Sequence, residues 1–389
     1  RTDVGRPEAF GGIARDFYRS VSAYATGDWS ERTQKTLDLA DTFFPEWHTR
    51  NRLLMPGDGI FLYPAPDEVL PSIRLANVAA FTGSGYRGIS LEKASARLEG
   101  LTVAGGQRGP QYSGSAYGTY GLVEIKADGA IVTNCVLRDA VSASYGAGFN
   151  GMGLKISKGL ATDCRIRNVS AYGSGGAQVE GAAIWMEGGT VDRFAVSGCQ
   201  TTGAGGTVVQ GDIVYQKGGE LRNSLVTGCK TVKSVPVGIN GGGFYNCTVV
   251  CNTNSAAKTY AAGQTTGVND RTAGVAVYAG TVKNCIIAKN WSTTDGCVTN
   301  LKGSVTYSLV DDRASLAGTG NKVGDPKFRR SAGREWRLKS TSPAINAGAP
   351  MSWMTETSVD LDGAPRIRNK IPDMGCYEGL LSGLVIFFN

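Results

Sequence analysis

Val282-Lys-Asn-Cys-Ile-Ile287 is one copy of a six-residue unit that returns throughout the chain. Other copies are Val132-Thr-Asn-Cys-Val-Leu137, Ala161-Thr-Asp-Cys-Arg-Ile166, Val191-Asp-Arg-Phe-Ala-Val196, Leu221-Arg-Asn-Ser-Leu-Val226, Phe244-Tyr-Asn-Cys-Thr-Val249 and Val305-Thr-Tyr-Ser-Leu-Val310. Arg97-Leu-Glu-Gly-Leu-Thr-Val103 is a looser first member. The consensus reads apolar, any, Asn, small, any, apolar. Its small position falls at 100, 135, 164, 194, 224, 247, 285 and 308, with intervals of 35, 29, 30, 30, 23, 38 and 23. A constant core at variable spacing means loops of different length between fixed short strands, which excludes a helical repeat of fixed length.

Each unit has a physical reading. An apolar residue ends one strand, Asn turns the chain through the left-handed conformation that few side chains tolerate, and Cys or Ser then points back inward. Asn134, Asn223, Asn246 and Asn284, with Asp163 in an equivalent place, are expected to form an internal ladder bonded from coil to coil. A second strand family precedes the bends at Gly121–Lys126, Gly153–Ser157, Ala183–Glu187, Ile213–Lys217 and Val275–Tyr278. Alternation sends Val123, Ile125, Leu154, Ile156, Ile184, Met186, Val275 and Val277 inward. Three strand faces per turn and parallel stacking predict an all-β chain, a right-handed parallel β-helix solenoid. Nine or ten coils at roughly 4.8 Å each would make it about 45 Å long.

Composition agrees. The 389 residues include 55 Gly, with 41% hydrophobic residues, enough for a continuous core. A net charge of +7 is dispersed, densest at Arg329, Arg330, Arg334 and Arg337 and again at Arg366, Arg368 and Lys370. Such a balance suits acidic polysaccharide or an anionic surface and lacks a nucleic-acid footprint. Nine cysteines without a C-x-x-C pair, and the single His48, argue against zinc. Mostly free, buried thiols are expected; Cys199 with Cys229, Cys247 with Cys251, and Cys285 with Cys297 are the pairs placed for a bridge. The absence of an initiating Met points to a processed, secreted chain. No apolar run approaches the 20 or so residues of a transmembrane helix.

The ends carry their own expectations. Ser30 to Phe44 reads as a helix capped by Ser30, with Leu37, Ala40 and Phe44 on one face, covering the first coil within an N-terminal segment 1–50. The coils occupy 51–325, residues 326–378 close them, and 379–389 form an apolar terminal strand. Leu384, Val385, Ile386, Phe387 and Phe388 are β-prone and uncharged. Such a strand either folds back on its own coils or adds to a neighbour's, giving a homo-oligomer or filament.

Pro56-Gly-Asp-Gly-Ile-Phe-Leu-Tyr-Pro64 resembles the first coil of secreted pectate-lyase-like proteins. Asp325-Pro-Lys-Phe328, Ser342-Pro-Ala-Ile-Asn-Ala-Gly348, Asp360-Leu-Asp-Gly-Ala-Pro-Arg366 and Asp373-Met-Gly-Cys-Tyr-Glu378 together resemble a signature that closes many bacterial surface β-helix proteins. Asn346 stands where that family usually has Asp, and Cys376 where it has Ala. The resemblance spans about residues 50 to 378 and implies the fold and a cell-surface or extracellular setting. The family's activities are mixed, so it implies no one chemistry.

Outward positions of the second strand family supply the candidate site residues Glu124, Lys126, Lys155, Trp185, Glu187, Tyr215, Lys217 and Tyr278. Lys155 or Lys217 would be the base of a polysaccharide lyase; Glu124 and Glu187 would be the carboxylates of a hydrolase. Trp185, Tyr215 and Tyr278 would stack on sugar rings. No cluster of aspartates on neighbouring coils offers a calcium site, so no cofactor or metal is expected. The sequence therefore favours a structural surface protein that assembles or adheres, with a polysaccharide lyase or glycan-binding protein as the alternative.

Overall fold

The computed structural model describes residues 59–64, 71–76, 87–94, 96–105, 107–108, 121–145, 149–174, 179–203, 212–232, 234–255, 272–292, 298–300, 302–311, 316–329, 335–368 and 370–379. The helix expected at 30–44, the Pro56-Gly-Asp turn, His48, Cys297 and the tail from 380 lie outside these residues. The described part is all-β, with no helix, and its strands run parallel to those of the turn before. Such stacking is consistent with a β-helical solenoid.

Three faces repeat. The first carries Arg87–Leu91, Gly121–Ile125, Leu154–Ile156, Ile184–Met186 and Val214–Gln216, then the starts of Val237–Tyr245 and Val275–Lys283, then Val298–Asn300. Their residues align rung by rung, Ile89 to Val123, Leu154, Ile184, Val214, Val237, Val275 and Val298. The inward residues expected from alternation are all buried. The second face holds the repeated unit. The third is a separate seven-stranded parallel sheet running from Gln107–Arg108 to Trp291–Ser292. Before these coils, Gly59–Pro64 pairs antiparallel with Pro71–Ala76.

Loop length varies mostly in one place. From Leu154 on, the interval from a first-face residue to its third-face counterpart (154 to 170, 184 to 200, 214 to 230, 237 to 253, 275 to 291) is 16, while in the two preceding coils (89 to 107, 123 to 141) it is 18. The return from third face to first takes 14, 14, 7, 22 and 7 residues (170 to 184, 200 to 214, 230 to 237, 253 to 275, 291 to 298). From Leu154 on, the irregular spacing seen in the sequence falls in that return.

The constant part is held by three stacked corners. Asn134, Asp163, Arg193, Asn223, Asn246, Asn284 and Tyr307 are left-handed, with φ of 47° to 57°. The first unit is out by one position in the sequence alignment: Gly100, at φ 65°, is its corner and Leu101 the counterpart of Cys135. A further left-handed corner follows five residues later at Asp139, Asn168, Gly198, Gly228, Cys251 and Lys289. A third family, glycine only, precedes the unit at Gly159, Gly189, Gly219, Gly242 and Gly280. Here the backbones touch: a Cβ on Gly219 would lie 2.4 Å from the Gly189 carbonyl oxygen.

After four of the first corners stands a small residue that accepts a hydrogen bond, Cys164, Ser224, Cys285 and Ser308, whereas Leu101 and Phe194 fill the same place with apolar bulk. The Cys285 thiol sulfur lies 3.5 Å from the Cys247 N–H that donates to it, the Ser308 hydroxyl accepts from Cys285 N–H at 3.1 Å, and the Ser224 hydroxyl accepts from Phe194 N–H at 3.1 Å. Each sulfur or oxygen also donates to the carbonyl two residues earlier, as Ser308 does to Thr306 at 2.9 Å. Buried Cys and Ser thus satisfy the amide that a bent strand leaves unpaired.

The asparagine ladder holds in part. Asn134 and Asp163 are exposed, but Asn223, Asn246 and Asn284 are buried, and Asn284 Nδ2 donates to Asn246 Oδ1 of the preceding coil at 3.2 Å. A second amide ladder is Asn252 and Asn290, one residue past the second corner. Asn290 Oδ1 accepts from Asn252 N–H and Asn252 Nδ2, each at 3.0 Å.

Asn246 and Asn284 lie under residues 344–377. Asn246 Nδ2 donates to the Asp373 carbonyl at 3.2 Å, and Asn284 exchanges two 2.8 Å bonds with Ala349. The closing segment packs Phe328, Leu338, Ala344, Met374, Cys376 and Tyr377 on outward residues Leu225, Val250, Ile286, Ala288 and Leu309. Its signature residues form one buried network. Arg366 donates to Glu378 at 2.7 Å with both side chains out of solvent. Asp360 Oδ2 accepts from Glu378 N–H at 2.7 Å, and Asp373 accepts from the N–H groups of Asn346 (2.7 Å) and Gly379 (2.6 Å).

The glycine column gives a paired test. Gly219→Ala combines left-handed strain of about 1–2 kcal/mol with a carbonyl clash. Gly100→Ala bears the strain alone, since nothing lies within 4 Å of its Cβ position. In urea titrations Gly219→Ala should lose clearly more stability; equal losses would mean that the coils are not in contact there.

Candidate functional site

One outward column crosses the first face. Ser90, Glu124, Lys155, Trp185, Tyr215 and Gly238 follow one another in register, so successive Cα atoms stand roughly 4.8 Å apart. Sequence reasoning aligned four of these as outward residues. It did not foresee how far they are covered: Glu124 is 6% and Trp185 3% exposed.

Cations from the coil on either side cover Trp185. Lys155 Nζ lies 4.7 Å from its ring centroid and Lys217 Nζ 5.1 Å, within range of attraction to the ring's electron-rich face. The Trp185 indole N–H donates to Glu180 Oε2 at 3.2 Å, and Lys217 stands 3.6 Å from that oxygen. Lys155 reaches Glu124 Oε1 at 3.3 Å; Lys126 lies 3.5 Å from Glu124 Oε2 and 2.8 Å from Glu92. The Lys126 ammonium holds the Glu92 carboxyl below the usual carboxylate range. Charges thus alternate along the column, and the expected open aromatic platform at Trp185 is corrected to a filled sandwich.

The other candidates fall around it. Lys217 is exposed at the end of its strand, Glu187 is exposed beyond the strand of Trp185, and Tyr278 is half-buried three coils on from Trp185. Glu124 and Glu187 differ by two rungs and two residues along the strand, about 12 Å between Cα atoms. That spacing, with Glu124 already engaged by two lysines, does not bring the pair together as hydrolase carboxylates.

Two carboxylates that sequence reasoning missed lie closer in. Glu180 is the indole's acceptor. Asp212 is buried, with Ser234 Oγ donating to its Oδ1 at 2.6 Å. Burial pushes the Asp212 carboxyl up to about 7, while the Ser234 hydrogen bond pulls the other way. Gly238 faces it, and a Cβ there would come 2.1 Å from Asp212 Oδ2. Burial and the nearby Glu180 raise the Tyr215 phenol, whose oxygen accepts from Asn240 Nδ2 at 3.2 Å. A signal existed: in the aligned coils Asp212 takes the place of Met152 and Ala182, a carboxyl in an apolar position.

The thiols of the coils are mostly covered. Cys135, Cys164, Cys199, Cys229, Cys247 and Cys285 are free and buried; Cys251 is free and exposed. Burial raises Cys251 and Cys247, the neighbouring Cys199 sulfur and burial raise Cys229, and the Cys164 hydrogen bond lowers Cys135. No group of three or more potential metal ligands occurs among the described residues. No helix among them is long and apolar enough to cross a membrane. Comparison with protein-family models, curated proteins and solved structures gives no match to this chain.

Asp212 makes stability depend on pH in a known direction. Its folded pKa lies above the unfolded value of 3.8, so its contribution is whole below that value and is lost as pH rises through about 7. Asp212→Asn keeps an acceptor for Ser234 and cannot ionise. It should melt above the parent at about pH 8.5 and lose that advantage near pH 5; a pH-independent difference would rule out an ionising Asp212.

Proposed function

We propose that the chain is a right-handed parallel β-helix of the secreted bacterial surface type, and that its role is structural: a stacked body that self-assembles or adheres. The observation that carries this reading is the saturation of the first-face column. Its lysines are bound to Glu92, Glu124 and Glu180, and its tryptophan is buried between ammonium groups. Those side chains tie five coils together rather than wait for a substrate. The closing segment uses the second face in the same spirit, covering its apolar outward residues with the chain's own sequence.

Assembly is assigned to the apolar tail, Leu384, Val385, Ile386, Phe387 and Phe388, because a parallel strand stack offers unpaired edge groups to another strand. Deleting residues 380–389 should abolish oligomers in light scattering while far-ultraviolet dichroism stays that of the parent. An unchanged oligomer would sink the tail's role.

A second reading has one observation in its favour. Asp212, poised near neutrality beside Tyr215, is the kind of group that serves as a general acid or base. On that reading the chain is a lyase of acidic polysaccharide. Turnover would create absorbance near 235 nm from unsaturated uronate, and Asp212→Asn would remove it. A parent chain silent on a panel of polyuronates ends this reading.

A further inference from the structure

The buried cysteines of the coils fall into pairs. Cys135 and Cys164 follow first corners on adjacent coils, as do Cys247 and Cys285, while Cys199 and Cys229 follow adjacent second corners. On both sides of each pair the strands are in register at one offset. Thr133 lies beside Thr162 and Val136 beside Arg165; Ser197 lies beside Thr227 and Gln200 beside Lys230. Tyr245 lies beside Lys283 and Thr248 beside Ile286. The Cα atoms of each pair therefore stand roughly 4.8 Å apart, inside the roughly 4.4–6.8 Å that a disulfide spans. All six side chains point inward and are buried.

The sulfurs already meet. Cys135 N–H donates to the Cys164 sulfur at 3.3 Å, and Cys247 N–H to the Cys285 sulfur at 3.5 Å. The Cys199 sulfur, with burial, raises the Cys229 thiol. Among the described residues no pair has a third member. In the first-corner column the neighbours are Leu101, Phe194, Ser224 and Ser308; in the second-corner column they are Val169 and Asn252. The corner itself does not call for sulfur, since Ser224 and Ser308 accept the same amide with a hydroxyl. A hydroxyl cannot join its neighbour. Cys247 does not face Cys251, as the sequence allowed: Cys251 is itself a corner, with φ of 55°, and is exposed.

We propose that these pairs are sites of reversible oxidation, at which a small-molecule disulfide joins Cys135 to Cys164, Cys199 to Cys229 and Cys247 to Cys285, clipping one coil to the next. One protein thiolate attacks the small disulfide, forming a mixed disulfide and releasing one small thiol. The stacked partner then attacks the protein sulfur of that mixed disulfide, forming the Cys–Cys bond and releasing the second. The pair loses two electrons and two protons, and the small disulfide takes up both as it becomes two thiols. In the first pair Cys135 is the attacking group, since the Cys164 hydrogen bond holds its thiol below the usual range. Exchange takes place while a coil is open, in folding or local unfolding, because all six sulfurs are covered. Reduced, the thiols pack and accept amides. Oxidised, they tie residues 29, 30 and 38 apart in the chain, which restricts the unfolded chain. The inference goes beyond the structural reading and uses neither the tail nor Asp212, so either can fail without the other.

The test reduces the full chain in urea and refolds it in reduced and oxidised glutathione, with recovery of the β dichroism as the check. If refolding fails, the chain is made instead in the oxidising periplasm of a bacterial host. Free thiols are alkylated, the chain is digested without reduction, and linked peptides are read by mass spectrometry. The three bridges should appear, and the oxidised chain should unfold at higher urea than the same chain treated with dithiothreitol. Cys199→Ser/Cys229→Ser should lose its own bridge, keep the other two and give up part of that gain. Six alkylated thiols in the folded chain would overturn the proposal. So would bridges to Cys251 or Cys376 in place of these, or an oxidised chain no more stable than the reduced one.

Discussion

A bent strand leaves an amide without a partner, and in this fold a small side chain of the following coil supplies it at Cys135, Phe194, Cys247 and Cys285. The left-handed corner turns the chain, the next residue enters the interior, and its sulfur or oxygen accepts the amide of the coil before. Because the acceptor belongs to the following coil, each turn is completed only by its successor. The last coils meet the same need with Asn321, whose Oδ1 accepts from Ser308 N–H at 3.0 Å. An unpaired buried amide costs about 1–3 kcal/mol, so the acceptor recurs along the stack, with Leu101 and Phe194 as its apolar exceptions. In the reduced chain cysteine, so often a redox residue, therefore serves as a packing residue with a weak hydrogen bond.

The corners also decide where variation is allowed. Three stacked corners per coil accompany the interval of 16 residues from first face to third that holds from Leu154 on. Glycine is obligatory only where carbonyl and Cα approach too closely for a Cβ, as at Gly219 and Gly242. Elsewhere Arg193, Lys289 and even Tyr307 accept a positive φ, because the surrounding ladder over-determines the turn. The return from third face to first is where length varies most, although Phe149–Asn150 and Val179–Glu180 still pair in parallel within it.

These facts separate what was legible in the sequence from what was not. Alternation identified the inward residues, since period two needs no knowledge of neighbours. The Asn-Cys unit located the first corner, but the second is filled by Asp, Asn, Gly, Cys and Lys and has no single-residue signature. The Gly100 unit slipped by one because a glycine can be either the corner or the small residue. Burial of Trp185 was hidden for a different reason: alternation tells which way a side chain points and not what meets it there. The missed Asp212 needed the coil alignment first, and only then stood out against Met152 and Ala182.

Outward composition, read face by face, shows how the surface is divided. On the second face the outward residues change from Arg138, Arg165 and Arg167 in early coils to Leu225, Val250, Ile286, Ala288 and Leu309 in later ones, and the closing segment covers the later set. The signature residues of that segment spend their charges on one another, Arg366 against Glu378 inside a ring of backbone donors. A buried pair of this kind adds little net stability over an apolar pair, but losing one partner is costly. Its value here is in fixing one conformation of a segment that has almost no strand pairing of its own. The first face is neutralised from within and the later second face is covered by the chain itself.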